Sequence, residues 1–224
     1  RVFTKYLADG QDIVYIACSS KQSGSVNTAR VVSEELLKDY PGASVYCVDS
    51  LNACLGEGAL AIEAAKLAET GIGAEEVFKK VQAMRKRVNE YCTVHSLEFL
   101  RRAGRVKGPA AFFGNLMGVK PIIVADADGA QAAFKKVKGR QASFREIVAL
   151  LKESIVNPEE QTIYLAHADC SEEEVEELKA LVKAEIPCKE IFVGYIGPII
   201  GASIGPDAVA LIGFGKEVTF RAAE

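Results

Sequence analysis

The first half of the chain alternates short apolar runs with amphipathic stretches. Runs rich in Val, Ile, Tyr and Cys at residues 13–18, 44–49 and 91–96 predict three β-strands. Between the strands, apolar residues recur at helical spacing, as at Val26 and Ala29, which predicts helices with one buried face. This alternation of strands and helices predicts a parallel sheet with helices packed on its faces.

The pattern changes around residues 104–119, where four glycines and a proline interrupt the apolar spacing. Such a break is typical of a boundary between domains. We therefore expect an N-terminal α/β domain over residues 1–110 and a C-terminal α+β domain over residues 111–224.

The second half carries signals for a hairpin, two helices and further strands. Asp-Gly within "DADGA" supplies the positive φ angles of a tight turn. Ser143 and Ser171 each begin an S-x-x-E capping box, which predicts a helix start at both positions. Strands are predicted at residues 162–167 and 190–195. The stretch at 193–214 is broken by Gly and Pro, so it predicts a buried strand–loop–strand rather than a membrane span.

Composition and charge exclude several classes of function. The 224 residues are 49% hydrophobic and 25% charged, which is typical of a globular protein, and the net charge of −3 disfavours a nucleic-acid partner. The six cysteines form no CxxC pair and fall mostly in apolar runs, which predicts reduced, buried thiols in a cytoplasmic protein. The N-terminal residues lack the apolar centre of a signal peptide.

Polar residues gather where the first three predicted strands end, in "CSSKQSGS", "VDSLNA" and "VHSLEF". Open parallel sheets bind ligands at such carboxyl ends. In the first segment, Ser19, Ser20 and Ser23 offer hydroxyl donors, Gly24 permits close approach of the backbone, and the next helix presents free N–H groups. These features predict a pocket for a carboxylate or a phosphate, although Ser and Gly also begin ordinary helices. The P-loop and dinucleotide fingerprints are absent from the sequence, and no cofactor is expected.

Candidate catalytic residues are few. His95 ends a predicted strand on the side of the pocket. His167 lies near Cys170, and the two residues could act as base and nucleophile or could simply form the turn before the next helix. No spacing of potential ligands indicates a metal site.

Two apolar segments are interleaved with glycine. They are "AAFFGNLMG" at residues 110–118, which contains Phe112 and Phe113, and "GPIIGASIGPDAVALIGF" at residues 197–214. Such segments either pack a core or line a channel for an acyl chain. An anion pocket joined to an apolar channel would constitute a fatty-acid site.

Several of these segments resemble the DegV family of bacterial lipid-binding proteins. "YIACSSKQSGSVNTA" is similar to the family segment I-x-x-S-S-x-x-S-G-T-Y-x-S-A. The stretches "VYCVDS", "LEFLRRAGRV", "LMGVKPIIV" and "GPIIGASIGPDAVALIGFG" follow in the family's order over essentially the whole chain.

The resemblance implies a long-chain fatty acid held between the two domains. It implies a carrier, without catalytic activity of its own, that presents the acyl carboxylate to a separate fatty-acid kinase. It also implies that Ser20, Ser23 and Gly24 lie at the carboxylate, and that Arg140 lies near the surface where the kinase docks.

The chain departs from the family pattern at three places. We expect it to lack a first segment of roughly 60 to 70 residues that contains the family's first strand. "GASIGPD" stands where the family reads G-A-H-T-G-P-G, so Ser203 and Ile204 replace a His-Thr pair and Asp207 adds a negative charge. We expect the weaker donor and the added charge to reduce affinity for a carboxylate. Val26 replaces a tyrosine near the mouth of the site.

Three hypotheses follow. The first is a non-enzymatic carrier of a long-chain fatty acid. The second is an enzyme of related fold that acts on small hydroxy-ketones or phosphoesters through His95, Asp49 or Cys170. The third is a ligand-free interaction module, which would require side chains to fill the channel.

Overall fold

The computed structural model describes residues 1–109, 112 and 118–222 of the chain. Eight α-helices lie within these residues: α1 Val2–Ala8, α2 Ser25–Leu36, α3 Cys54–Glu69, α4 Ala74–Met84, α5 Leu97–Ala103, α6 Arg140–Ser154, α7 Glu172–Glu185 and α8 Pro198–Ile204. Nine strands accompany them: β1 Ile13–Ala17, β2 Val45–Asp49, β3 Val88–Thr93, β4 Val106–Lys107, β5 Val119–Ala125, β6 Gln131–Lys138, β7 Thr162–Ala168, β8 Glu190–Tyr195 and β9 Ala208–Phe214.

The first two strands form the parallel unit that the sequence predicts. β1 pairs with β2 in register from Ile13↔Val45 to Ala17↔Asp49. Helix α2 connects the two strands and buries Val26 on the face that the helical spacing predicts. Both strands therefore end at one edge, where the polar segments after them meet.

The third predicted strand does not belong to this sheet. β3 lies in a seven-stranded sheet of order β4-β6-β5-β3-β9-β7-β8, where it is antiparallel to both β5 and β9. Alternating apolar residues do not distinguish parallel from antiparallel pairing, because the side-chain period is the same in both. The change of sheet falls between β2 and β3, and a division into domains at residue 110 stays a prediction.

The predicted hairpin is confirmed between β5 and β6. Its turn is held by Asp126, whose Oδ1 accepts hydrogen bonds from the Asp128 and Ala130 N–H groups at 3.0 and 2.9 Å. Gly129 completes the turn with a φ of +84°.

The two predicted capping boxes have different outcomes. Ser171 is the N-cap of α7, and its Oγ accepts a hydrogen bond from the Glu174 N–H at 3.2 Å. Ser143, in contrast, lies inside α6, which begins at Arg140, and its Oγ donates to the Arg140 carbonyl. The prediction for residues 193–214 is confirmed for the two strands, β8 and β9, but the connection between them was wrong, because helix α8 replaces the expected loop.

Two hydrophobic cores lie on opposite faces of the seven-stranded sheet. The first core joins one face to α3, α4 and the small sheet through residues such as Val48, Leu60 and Val81. The second core joins the other face to α6 and α7 and contains the fully buried Phe144 and Leu178. The mixed α/β architecture expected from the sequence is thus present, with the small sheet on the first-core side.

Candidate functional site

The polar corner after β1 is held by its own backbone. The Ser19 carbonyl accepts hydrogen bonds from the Gln22 and Ser23 N–H groups, each at 2.9 Å, while the Ser19 N–H donates to the Asn52 carbonyl at 2.8 Å. Asp49 ties the two strand ends together, because its Oδ1 accepts from the Ser20 N–H at 3.3 Å and from the Leu51 N–H at 3.0 Å. The corner is therefore shaped before any ligand arrives.

Helix α2 begins at this corner. Ser23 Oγ lies 2.7 Å from Ser25 Oγ and accepts the Ser25 N–H at 3.2 Å. Gly24 is the N-cap residue and offers no side chain to cap the remaining N–H groups of the first turn. Hydroxyls and the positive end of a helix thus occupy one place, which suits an anionic or strongly polar group.

A cavity of about 640 Å³ opens at this corner and runs between the small sheet and the first-core face of the large sheet. Ser23, Gly24 and Ser25 line one part of it. The apolar lining comes mostly from the large sheet and from α5 and α8, and includes Leu100, Ile123, Ala166, Ile196, Ile199, Ile200, Ile204, Ala210 and Ile212. A volume of this size is in the range of small-molecule sites.

Two carboxylates and several thiols also line the cavity. The carboxylate of Glu57 is half-buried, and burial raises its pKa, while a hydrogen bond from the Cys18 N–H acts in the opposite direction. Burial raises the pKa of the Glu90 carboxyl to about 7. Burial likewise raises the pKa of the Cys18 and Cys54 thiols to about 11, so both thiols stay protonated at neutral pH.

The structure brings together four of the predicted site residues. Ser23, Gly24, Ser203 and Ile204 all line the cavity. Ser203 is less available than expected, because its Oγ donates to the Ile199 carbonyl within α8 at 3.1 Å. The hydroxyl can still accept a hydrogen bond.

The other predicted corner residues, Ser19 and Ser20, do not line the cavity. Ser19 is fully buried and supports the turn, and Ser20 is exposed. Their contribution is to hold the corner in shape.

His95, Phe112 and Phe113 were also expected at the lipid. His95 is exposed, with Nδ1 3.8 Å from Asp207 Oδ2, and lies outside the lining of the cavity. Phe112 packs at the edge of the first core, and Lys136 Nζ lies 4.9 Å from the centroid of its ring. Phe112 is not among the residues that line the cavity. Phe113 lies outside the described residues.

Arg140 occupies a different environment from the one predicted. Its Nε and a terminal nitrogen donate to the two oxygens of Glu174 at 2.8 and 3.2 Å, and the guanidinium packs over Phe144 at 4.5 Å. Only 14% of the side chain is exposed. Arg140 therefore joins α6 to α7 and leaves little surface for a partner.

The candidate catalytic residues lie away from the cavity. Neither His95, Asp49 nor Cys170 is among its described lining residues. Cys170 has a pKa raised to about 11 by burial and contacts Arg140 and the Ala208 carbonyl. Cys170, Glu174 and Asp207 lie close enough to share a cation, but the Arg140 guanidinium already supplies positive charge there.

Sequence reasoning missed Glu57, Glu90 and Gln131, which all line the cavity. The sequence does carry a signal for Glu90. Glu90 lies two residues from both Val88 and Cys92, so the three side chains share the inward face of an apolar strand. No comparable signal marks Gln131, since its strand is half-exposed.

No helix in the described ranges is both long and apolar enough to cross a lipid bilayer.

The sequence and fold are similar to known proteins. The family model described as "Uncharacterised protein, DegV family" matches residues 1–216. A DegV domain-containing protein of Clostridium perfringens is 39% identical over 217 residues, which are 96% of this chain and 74% of the relative. Among solved structures, DegV, a fatty acid binding protein from Bacillus subtilis, aligns with a TM-score of 0.80 at 28% identity over 96% of this chain and 75% of that one. A DegV family protein from Thermus thermophilus, described for its fatty acid binding, aligns with a TM-score of 0.85 at 26% identity over the same shares of the two chains.

Proposed function

This chain belongs to the DegV family, and we propose that it binds a long-chain fatty acid. The carboxylate lies at the Ser23–Ser25 corner, and the acyl tail extends along the apolar part of the cavity. The observation that carries this proposal is one cavity of about 640 Å³ that is polar at a helix N-terminus and lined elsewhere by Ile, Leu and Ala side chains. Two relatives of the same fold are described as binding fatty acids.

Energetics favour the tail over the head group. Burial of each methylene contributes about 0.8 kcal/mol, so a long acyl chain has far more free energy to gain than its carboxylate. A helix N-terminus contributes about 0.3–1 kcal/mol to binding of a negative charge. The tail therefore sets the affinity, and the corner sets the orientation.

Glu57 opposes an ionised guest. Its carboxylate receives the Cys18 N–H directly before the corner and lines the same cavity. A fatty acid carboxylate beside it is disfavoured by like charge unless one of the two groups holds a proton. This repulsion lowers the affinity for a carboxylate. The replacement of the family's histidine by Ser203 is expected to lower it as well.

The cellular role is part of the proposal. We place the chain in the cytoplasm as a carrier, without catalytic activity, that presents its acyl group to a fatty-acid kinase. Six free cysteines support a reducing compartment. His95, Asp49 and Cys170 are not among the described residues that line the cavity, so the cavity lends them no catalytic role, and its open volume favours ligand binding over a ligand-free module.

Native mass spectrometry before and after extraction with organic solvent tests the proposal. A mass excess of one fatty acid that disappears on extraction, and returns when stearic acid is added, is the expected result. Ala210→Leu places a larger side chain in the cavity and should reduce occupancy, whereas Ala65→Leu changes an exposed helical position and should not. If the extracted chain fails to take up stearic acid, the proposal is wrong.

A further inference from the structure

Glu90 is a buried carboxyl group with one oxygen satisfied and one not. It lies on β3, is 8% exposed and lines the cavity. Its Oε1 accepts a hydrogen bond from Gln131 Nε2 at 2.9 Å. Its Oε2 is buried and has no hydrogen-bond partner among the residues that the structure describes.

The surroundings of Glu90 are apolar. Its cross-strand partner on β9 is Ile212, and Cys92 is the next residue on the same face of β3. Both residues line the cavity, as does Ile123 on β5. An unsatisfied oxygen in such a place is destabilising, because it has lost its water without gaining another donor.

A guest in the cavity can supply the missing partner, because Glu90 is one of the residues that line it. A hydroxyl group fits either protonation state of Glu90, because it can donate to a carboxylate oxygen or accept from a carboxyl O–H. A carbonyl group could only accept, and a second carboxylate would meet like charge. The raised pKa of Glu90 makes both of its protonation states accessible near neutral pH.

We propose that Glu90 recognises a hydroxyl group along the acyl chain, so that the cavity selects a hydroxylated long-chain fatty acid over the unsubstituted acid. This inference rests on the proposed fatty-acid site and specifies its ligand class. Gln131 holds the carboxyl in place through Oε1 and leaves Oε2 without a partner among the described residues, at a residue that lines the cavity. The hydroxyl group of the ligand lies where the large sheet contacts the acyl tail. It is separate from the carboxylate head group, which lies at the start of α2.

The test compares the affinity of the extracted full chain for stearic acid with its affinity for 10-hydroxystearic and 12-hydroxystearic acids. We expect at least one hydroxy acid to bind about tenfold more tightly than stearic acid, as one hydrogen bond to a charged or polarised group allows. Equal or weaker binding of both hydroxy acids overturns this inference alone. Absence of binding by all three acids overturns the proposed function and this inference with it.

Two variants test whether Glu90 causes the preference for hydroxy acids over stearic acid. Glu90→Met keeps the length of the side chain but removes both oxygens, so the ratio of affinities should fall to about one while stearic acid still binds. Glu57→Met, the same change at the other carboxylate of the cavity, should alter both affinities together and leave the ratio unchanged. A preference that survives Glu90→Met overturns the assignment. If Glu90→Met fails to fold, competition between the acids on the unmodified chain still decides the main question.

Discussion

Gly129 in the β5–β6 turn lies directly against the side chain of Ser19 at the end of β1. A Cβ atom at Gly129 would clash with Ser19 Oγ and would lie 2.8 Å from Leu51 Cα. The Gln22 side chain makes the same connection by donating to the Gly129 carbonyl at 3.1 Å. The hairpin of the large sheet thus supports the polar corner of the small sheet.

Gly129→Ala should lower the free energy of unfolding by about 2 to 4 kcal/mol, because it combines a clash with backbone at a φ of +84°. The control is Gly71→Ala, which has the same φ of +84° but nothing within 4 Å, and should cost only about 1 kcal/mol. Urea unfolding of the two variants measures both values. Similar values for the two substitutions would show that the contact with Ser19 is unimportant.

Stability should decrease as pH rises through the range set by Glu90. Its pKa lies near 4.5 in the unfolded chain and is raised to about 7 by burial, so the folded state holds this proton more tightly. The stabilisation is complete below pH 4.5 and is lost as pH rises to 7, by roughly 3 kcal/mol in total. Glu90→Gln should remove this part of the pH dependence between pH 5 and 8. The free energy of unfolding of both chains is measured at pH 5 and pH 8. If it falls between these pH values as much in Glu90→Gln as in the unmodified chain, the pKa of Glu90 is not raised.

Arg140 should matter for stability more than an exposed cation at the other end of the same helix. Arg140–Glu174 and Lys152–Glu185 both join α6 to α7 at 2.8 Å, but the Arg140 side chain is 14% exposed and that of Lys152 is 53% exposed. Arg140→Ala should cost about 1 to 3 kcal/mol, since it leaves Glu174 without its partner. Lys152→Ala should cost at most about 0.5 kcal/mol. Thermal unfolding of both variants checks the order, and equal effects would contradict it.

A bound fatty acid should protect the thiols of the cavity. Cys18 and Cys54 line it, whereas Cys188 lies elsewhere, at the edge of the second core. At a free stearic acid concentration ten times its Kd, alkylation of Cys18 and Cys54 should slow about tenfold, because only the empty protein reacts. The rate at Cys188 should not change. Peptide mass spectrometry measures the three rates, and equal rates with and without the acid would place the ligand elsewhere.

Local sequence was sufficient for the corner and the hairpin. Asp-Gly sets the β5–β6 turn, and the Ser- and Gly-rich segment after β1 ends at the start of α2 as predicted. Both depend on residues close together in the chain, where turn and cap preferences act directly.

Features that depend on distant residues were predicted less well. β3 shows the alternation of any half-buried strand, and its partner β9 lies more than a hundred residues further along the chain. Arg140 is basic and follows a lysine-rich strand, but Glu174 on another helix determines that its side chain is covered. Glu90 was overlooked because its importance comes from the cavity beside it, which forms only in the assembled fold.

The insertion of β9 between β3 and β7 also sets the order in which the protein can mature. Residues 208–214 supply Ala210 and Ile212 to the wall of the cavity, and they are synthesised after every other strand of both sheets. A nascent chain therefore has no complete cavity of this kind until β9 leaves the ribosome and inserts between β3 and β7. A chain truncated before residue 208 should therefore lack part of the cavity wall and should leave β3 and β7 unpaired on the sides that β9 joins.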